Sequence, residues 1–347
     1  VTNMSYMFGD ARAFNQNINT WNVSNVTDMS VMFANAYVFN QPLNSWDVSK
    51  VTNMYAIFNN TYAFNQNINT WNVSNVINMS YMFNGARVFN QSLDNWNVSK
   101  VTNMTFMFSA ASKFNQNINT WDVSNVTNMI DMFESASEFN QPLNNWNVSK
   151  VTSMATMFSY AIAFNQNINS WNVSLVNDMY GMFNRTNSFN QPLDNWNVSN
   201  VTNMSYMFSY AIAFNQNINT WNVSNVNNMS TMFKNATAFN QPLNNWNVSN
   251  VTNMYEMFIN ASAFNQDISS WTPINLVNGN YFMFGKSSLN FSSTNLDAIY
   301  NSWSSLTLKP NVTINFGTIK YTSAGVAGRS ALTGAPNNWI ITDGGLT

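Results

Sequence analysis

Large apolar residues recur along this chain with a period of 25, from Val1 through Asn275, in eleven copies without an insertion. With Val1 as position 1, Met fills position 4 in every copy (Met4, Met29, Met54), and position 7 is Met everywhere except Ile57. Phe fills positions 8 and 14, Trp fills position 21, and polar residues occupy the intervals. Such a period marks stacked supersecondary units, each of which buries its apolar face only against its neighbours. The Met, Phe and Trp columns therefore read as core, because they recur with no partner ligand changing alongside them.

Within a repeat, Val26, Met29, Met32 and Phe33 are spaced three, three and one apart. This predicts a short helical segment capped by Ser24 or Asn25. Ile18 to Val23 reads apolar-x-x-apolar-x-apolar and predicts a short strand with Trp21 and Val23 inward. Each repeat is thus expected to run strand, turn, helical segment, return. Strands stacked about 4.8 Å apart would make a rod of about 50 Å with a parallel sheet along one side.

Asn15 and Gln16 follow the inward Phe14, and the pair recurs in all eleven repeats. Stacked amides can bond their equivalents one rung away while serving the backbone at a turn, so the pair reads as a structural ladder. Odd repeats up to the ninth read FNQNIN and most even ones FNQPLN, which points to a duplicated pair of repeats. Pro42, Pro142, Pro192 and Pro242 stand just before the expected strand, where a missing N–H is tolerated.

After Trp271 the pattern decays, and Phe282, Met283 and Phe284 read as a degenerate twelfth rung. Residues 292–303 place Leu296, Ile299, Tyr300 and Trp303 at helical spacing behind a Ser/Thr/Asn cap. Val312–Phe316 and Trp339–Thr342 are strand candidates, with Ala324–Leu332 a short helix between them. The expected organisation is a repeat solenoid over 1–275 and a degenerate repeat with an α+β cap over 276–347. Val1 opens a repeat that obeys every column, so its first rung needs either preceding sequence or another protomer to cover it.

Composition narrows the chemistry. The chain of 347 residues has no His and no Cys, and only 7% of it is charged. Disulfides, thiol or His-based catalysis and zinc fingers are excluded, since each needs a soft donor or an imidazole. A net charge of -2 gives no cationic surface for nucleic acid. No run of eighteen apolar residues exists to span a bilayer.

Two surfaces remain as candidate sites. On the expected strand, positions 20, 22 and 24 face outward as uncharged ladders, here Thr20, Asn22, Ser24, Thr70, Asn72, Ser74, Thr120, Asp122 and Ser124. Such a face offers many equivalent weak contacts to a polysaccharide or to ice. The columns that vary are positions 5, 6, 9, 10 and 12, and at position 6 Tyr6, Tyr81, Phe106 and Tyr206 are plausible recognition anchors. Asp131, Glu134 and Glu138 are spaced to share a helical face, and Lys50, Lys100 and Lys150 recur at position 25; both sets read as solvated charge. Asn22, Asn25, Asn72, Asn97, Asn147 and Asn235 head glycosylation sequons, most of them copies of one repeated NVS.

The pattern WNVSNVTNMSYMF followed by AFNQNINTW resembles the bacterial surface protein repeat, the BspA-like branch of leucine-rich repeats, over 1–275. The resemblance implies a leucine-rich-repeat-like solenoid, displayed outside the cell or on a virion, that works in adhesion or recognition. It implies no catalytic residue and no cofactor. The expected partner is an extracellular glycan or protein ligand, with a fibre of copies joined end to end as the alternative. An enzyme such as a solenoid polysaccharide lyase is disfavoured, because the expected strand face carries no Asp, Arg and Lys constellation.

Overall fold

Each 25-residue repeat folds as one rung built almost wholly from tight turns. In the computed structural model, residues 1–347 are described as two units, Val1–Leu175 and Val176–Thr347. Rungs within each unit are joined by a backbone ladder that runs through positions 2 to 10. The N–H groups of Met4, Tyr6, Phe8 and Asp10 donate to the carbonyls of Asp28, Ser30, Met32 and Ala34 one rung on, at 2.8–3.0 Å. Intervening N–H groups turn back within the rung, as Gly9 does to Tyr6 and Ala11 to Phe8. Single parallel bridges at position 3 mark the same seam, Asn3 to Asp28 through Asn128 to Ser153 in the first unit and Asp178 to Asn203 through Asn253 to Asn278 in the second.

The expected helical segment and the expected strand both require correction. Met32 does bond back to Met29, but Val31 and Phe33 donate to Tyr55 and Ile57 in the next rung, so no helix propagates. The reversal is made by positive φ at positions 6 and 10, for instance Val31 at 61° and Asn35 at 61°. Consecutive turns therefore imitate the i, i+3 spacing of a helix, and there is no helix for Ser24 or Asn25 to cap. The segment expected as a strand holds a turn, with Trp21 N–H on the Ile18 carbonyl at 3.0 Å. Asx turns flank it, Asn19 N–H to Asn17 Oδ1 and Ser24 N–H to Asn22 Oδ1. Val23 is buried there as expected, and so are Trp46, Trp71 and their equivalents, although Trp21 in the first rung is 39% exposed.

The core is aromatic and stacked. Phe33 and Phe39 lie 4.2 Å apart within a rung, and Phe33 and Phe58 lie 5.7 Å apart across rungs. Trp46 and Trp71 stack at 6.4 Å with planes 2° apart. Each of these indoles also donates backward, Trp46 Nε1 to the Ile18 carbonyl at 3.1 Å and Trp71 Nε1 to the Leu43 carbonyl at 2.9 Å. Offset parallel rings add to area burial, and a buried indole N–H needs such an acceptor.

Side chains make two further seams. Asn15 Oδ1 accepts from Asn40 N–H at 2.9 Å and from Gln41 Nε2 at 3.2 Å, the ladder expected from sequence. It continues rung by rung, as at Asn40 to Asn65 and Gln66. Near position 25, Lys50, Lys100 and Lys150 each reach the Asn one rung before, at Asn25, Asn75 and Asn125, at 2.7 Å.

The ladder continues past the regular repeats within the second unit. Strand β1 (Asn278–Gly279) pairs in parallel with β2 (Thr313–Asn315), and β2 with β3 (Ile340–Thr342). Helix α1 (Ser293–Trp303) buries Leu296, Ile299, Tyr300 and Trp303, the face expected from their spacing. Its start takes over the amide ladder, since Ser292 N–H and Asn295 Nδ2 both donate to Asn265 Oδ1. A 3-10 turn, Ser323–Gly325, leads into α2 (Val326–Thr333). Asp343 ties the segment together, accepting from Tyr300 Oη and Arg329 Nε at 2.6 Å each. Lys286 stands at position 11, where the repeats carry Ala or Thr, and it is 1% exposed. Burial pulls its ammonium down to about 8.

Candidate recognition surface

The backbone ladder decides which side chains can meet a ligand. Positions 4, 7, 8 and 14 point into the core, while positions 6 and 10, held at positive φ, keep their side chains mostly at the surface, those of Ala56 and Thr231 being the buried exceptions. Tyr6, Tyr81, Phe106 and Tyr206 all occupy such positions, at φ of 60°, 60°, 57° and 60°. A bulky residue in the left-handed region costs about 1–2 kcal/mol. The column tolerates this in almost any residue type, from Gly181 to Tyr206.

In the first unit the structure brings Tyr81 and Phe106 together, with rings stacked at 4.6 Å, and adds Tyr55 edge-on to Tyr81 at 5.7 Å. Burial, then the nearby Tyr55 and Asp131, raises the Tyr81 hydroxyl above the ordinary phenol range. Tyr6 stands apart from them in the first rung and is 67% exposed. In the second unit Tyr206 meets Tyr180 at 5.5 Å, and Tyr281 meets both Tyr255 and Phe284 edge-on. Between these pairs Lys234 and Glu256 form an ion pair at 2.6 Å. The carboxylate raises the Lys234 ammonium above its ordinary value. Beside Phe284, Gly285 and Gly317 help to leave a cavity of about 310 Å³ that Asn315, Thr318 and Thr342 also line. A Cβ on Gly317, at φ +69°, would lie 2.4 Å from the Lys286 carbonyl oxygen.

Tyr55, Tyr180 and Tyr255 at position 5, and Tyr281 in the twelfth rung, are the members that sequence reasoning did not single out. Their signal was present: position 5 varies, and Tyr there sits next to a position where the chain must reverse. Phe284, read from sequence with Phe282 and Met283 as the apolar pattern of the twelfth rung, is 48% exposed while those two are buried.

The polar ladder residues stand on turns and not on the expected strand. Thr20, Thr70 and Thr120 are exposed, as are Asn22, Asn72 and Asp122, while Ser24, Ser74 and Ser124 are half-buried. They belong to turns, not to a sheet, and their acceptors are engaged in their own rung. Asn22 Oδ1 takes the Ser24 N–H and hydroxyl at 3.1 and 2.7 Å, and Asn72 Oδ1 takes the Ser74 N–H at 3.2 Å. Asp122 takes the Ser124 N–H at 3.0 Å. The Ser124 hydroxyl and N–H, and then Lys150, hold its carboxyl below the usual range. Thr70 Oγ1 donates to the Asn44 carbonyl at 3.3 Å.

The acidic trio shares no helical face. Glu138 pairs with Lys113, Glu134 accepts from Ser109 and Ser135, and Asp131 lies at a φ of 54° in the ladder column. Burial raises the Asp131 carboxyl, against a hydrogen bond from Thr156 that lowers it.

The family described as "Mycoplasma protein of unknown function, DUF285" matches three overlapping tandem segments, residues 1–96, 87–196 and 177–297. No curated protein matches. Among solved structures, the chain is similar to one from the Toll–Spatzle complex of Drosophila, at 10% identity and a TM-score of 0.29. That alignment covers 86% of this chain and 42% of the other, so this chain spans less than half of the other's length. No helix is long and apolar enough to cross a membrane.

Proposed function

Since the chain belongs to the DUF285 repeat family, with tandem matches over residues 1–297, we propose that it is a non-enzymatic recognition scaffold that binds through the outward face of its backbone ladder. The observation that carries this reading is the contrast between columns. Core and seam positions are nearly constant from rung to rung, whereas position 6 changes at every step and positions 5, 9 and 10 vary widely along the chain. In the second unit those positions expose Tyr180, Tyr206, Tyr281 and Phe284 by 38–48%. Aromatic side chains of this kind bury large area at low entropic cost and dominate binding hot spots. A solenoid that varies one face over a constant core suits an extended partner. The resemblance to BspA-like surface repeats supports display outside the cell or on a virion, and a protein or glycan as the ligand.

The test is a screen of the intact chain against arrayed extracellular proteins and glycans, repeated with Tyr180→Ala, Tyr206→Ala and Tyr281→Ala combined. Binding that is lost in this variant at an unchanged melting temperature supports the reading. Binding that survives it, and is lost instead on changing Thr70, Asn72 and Ser74 to Ala, moves recognition to the turn face and overturns the proposal.

A further inference from the structure

A second surface in the first unit carries charge in an organised form. The chain has four arginines, and each lies over a tyrosine ring: Arg12 over Tyr37, Arg87 over Tyr62, Arg185 over Tyr210 and Arg329 over Tyr321. The first two contacts belong to one array. Tyr37 and Tyr62 stack on each other at 4.7 Å, with Arg12 at 5.4 Å from the outer face of one ring and Arg87 at 4.5 Å from the outer face of the other. All four residues occupy position 12 of consecutive repeats, a column whose side chains stand at the surface. Three rung spacings of about 4.8 Å put the two ends about 14 Å apart.

Other cations of this unit are engaged internally. Lys50, Lys100 and Lys150 serve asparagines one rung back, and Lys113 pairs with Glu138. Arg12 and Arg87 hold no carboxylate, and the hydroxyls of Tyr37 and Tyr62 bond to no protein group. A guanidinium stacked on an aromatic ring keeps its in-plane N–H donors for a planar anion, with its rotamer already fixed. We propose that the Arg12–Tyr37–Tyr62–Arg87 ridge binds an acidic polysaccharide. The guanidiniums take carboxylate or sulfate groups at the two ends, and the phenol hydroxyls take sugar hydroxyls between them.

The geometry disfavours a nucleic acid on two counts. Phosphates follow one another closely along a strand and call for a continuous cationic track, whereas this ridge has two cations with neutral rungs between them. Both tyrosine faces are already covered, by each other and by arginine, so no ring is free to stack a base. Edges and hydroxyls are what the ridge presents, and these suit a polyhydroxylated chain. The site is separate from the ladder face proposed above and stands or falls without it.

The test is titration of the intact chain with polygalacturonate, heparin, neutral dextran and polyglutamate at two salt concentrations. The expected result is salt-sensitive binding of polygalacturonate, of heparin, or of both, with none of dextran and weaker binding of polyglutamate. Arg12→Gln with Arg87→Gln should lower that affinity by about tenfold, as loss of two exposed charge-assisted contacts would. Tyr37→Phe with Tyr62→Phe keeps the stack, and should lower affinity for the polysaccharide at an unchanged melting temperature. Absence of polysaccharide binding, equal binding by the arginine variant, or polyglutamate binding as strong as the sugars would overturn the proposal. Insensitivity to the Phe substitutions would overturn the role given to the hydroxyls.

Discussion

At the scale of single residues, this protein assigns opposite jobs to its side chains at neighbouring positions. Trp146 stacks on Trp171 at 6.4 Å and sends its Nε1–H to the Ile118 carbonyl at 3.0 Å, so one side chain holds two interfaces at once. Trp146→Ala should cost about 3–5 kcal/mol, as large-to-small changes in a packed core do. Thermal or denaturant unfolding measures it, and an unchanged midpoint would sink the stacked core. Val31 is the reverse case, a β-branched residue at a φ of 61°. Relief of about 1–2 kcal/mol of left-handed strain exceeds the backbone entropy that glycine adds, about 0.5–1 kcal/mol. Val31→Gly should therefore stabilise by about 0.5–1 kcal/mol, a rise visible in the same melts, while Val26→Gly in the buried column should lower stability.

Elements here are rungs, and their bonding was only partly legible in the sequence. The amide ladder could be read because Asn15 and Gln16 name their own donors and acceptors, and every repeat has them. Helix α1 could be read because Leu296, Ile299, Tyr300 and Trp303 follow one helical face behind Ser292, which caps Asn295 N–H. The backbone ladder could not. Its signature is the alternation of N–H groups leaving and returning to the rung, and backbone direction leaves no mark in side-chain spacing. Positive φ is visible from sequence when glycine marks it, as at Gly85 and Gly181, but Tyr, Val and Phe hold the same conformation in other rungs. The turn at Ile18 to Val23 imitated a strand for a related reason: two tight turns bring Trp and Val inward at nearly the interval a pleat would.

Lys286 gives this scale a pH dependence. Its folded value, near 8, lies below the ordinary lysine value of 10.5. Between those values the unfolded chain binds more protons than the folded one, so stability rises with pH across that window and is lowest below it. Lys286→Met should raise the melting temperature at pH 7 and lose most of that advantage by pH 10.5. Melts of both proteins from pH 7 to 10.5 check this, and parallel curves would show that the ammonium is not buried.

For the whole molecule, the fold explains how a chain with 12 basic and 14 acidic residues stays organised without His or Cys. Stacked rings fill the core, carbonyls and N–H groups close one seam, and asparagine amides close another. These seams are nearly uncharged, so the remaining charge and the variable aromatics are free to diversify at the surface. The recognition proposed for the ladder face depends on that division, because only a ladder through positions 2–10 lets position 6 vary in every rung. Residue-resolved amide hydrogen exchange tests it most directly. The account predicts strong protection at Phe106, Phe108 and Ala110, whose N–H groups donate to Ile130, Met132 and Glu134 in the next rung, and fast exchange at the exposed Thr120 and Asp122. Protection at Thr120 and Asp122 with fast exchange at Phe106, Phe108 and Ala110 would place the sheet on the other edge and contradict it.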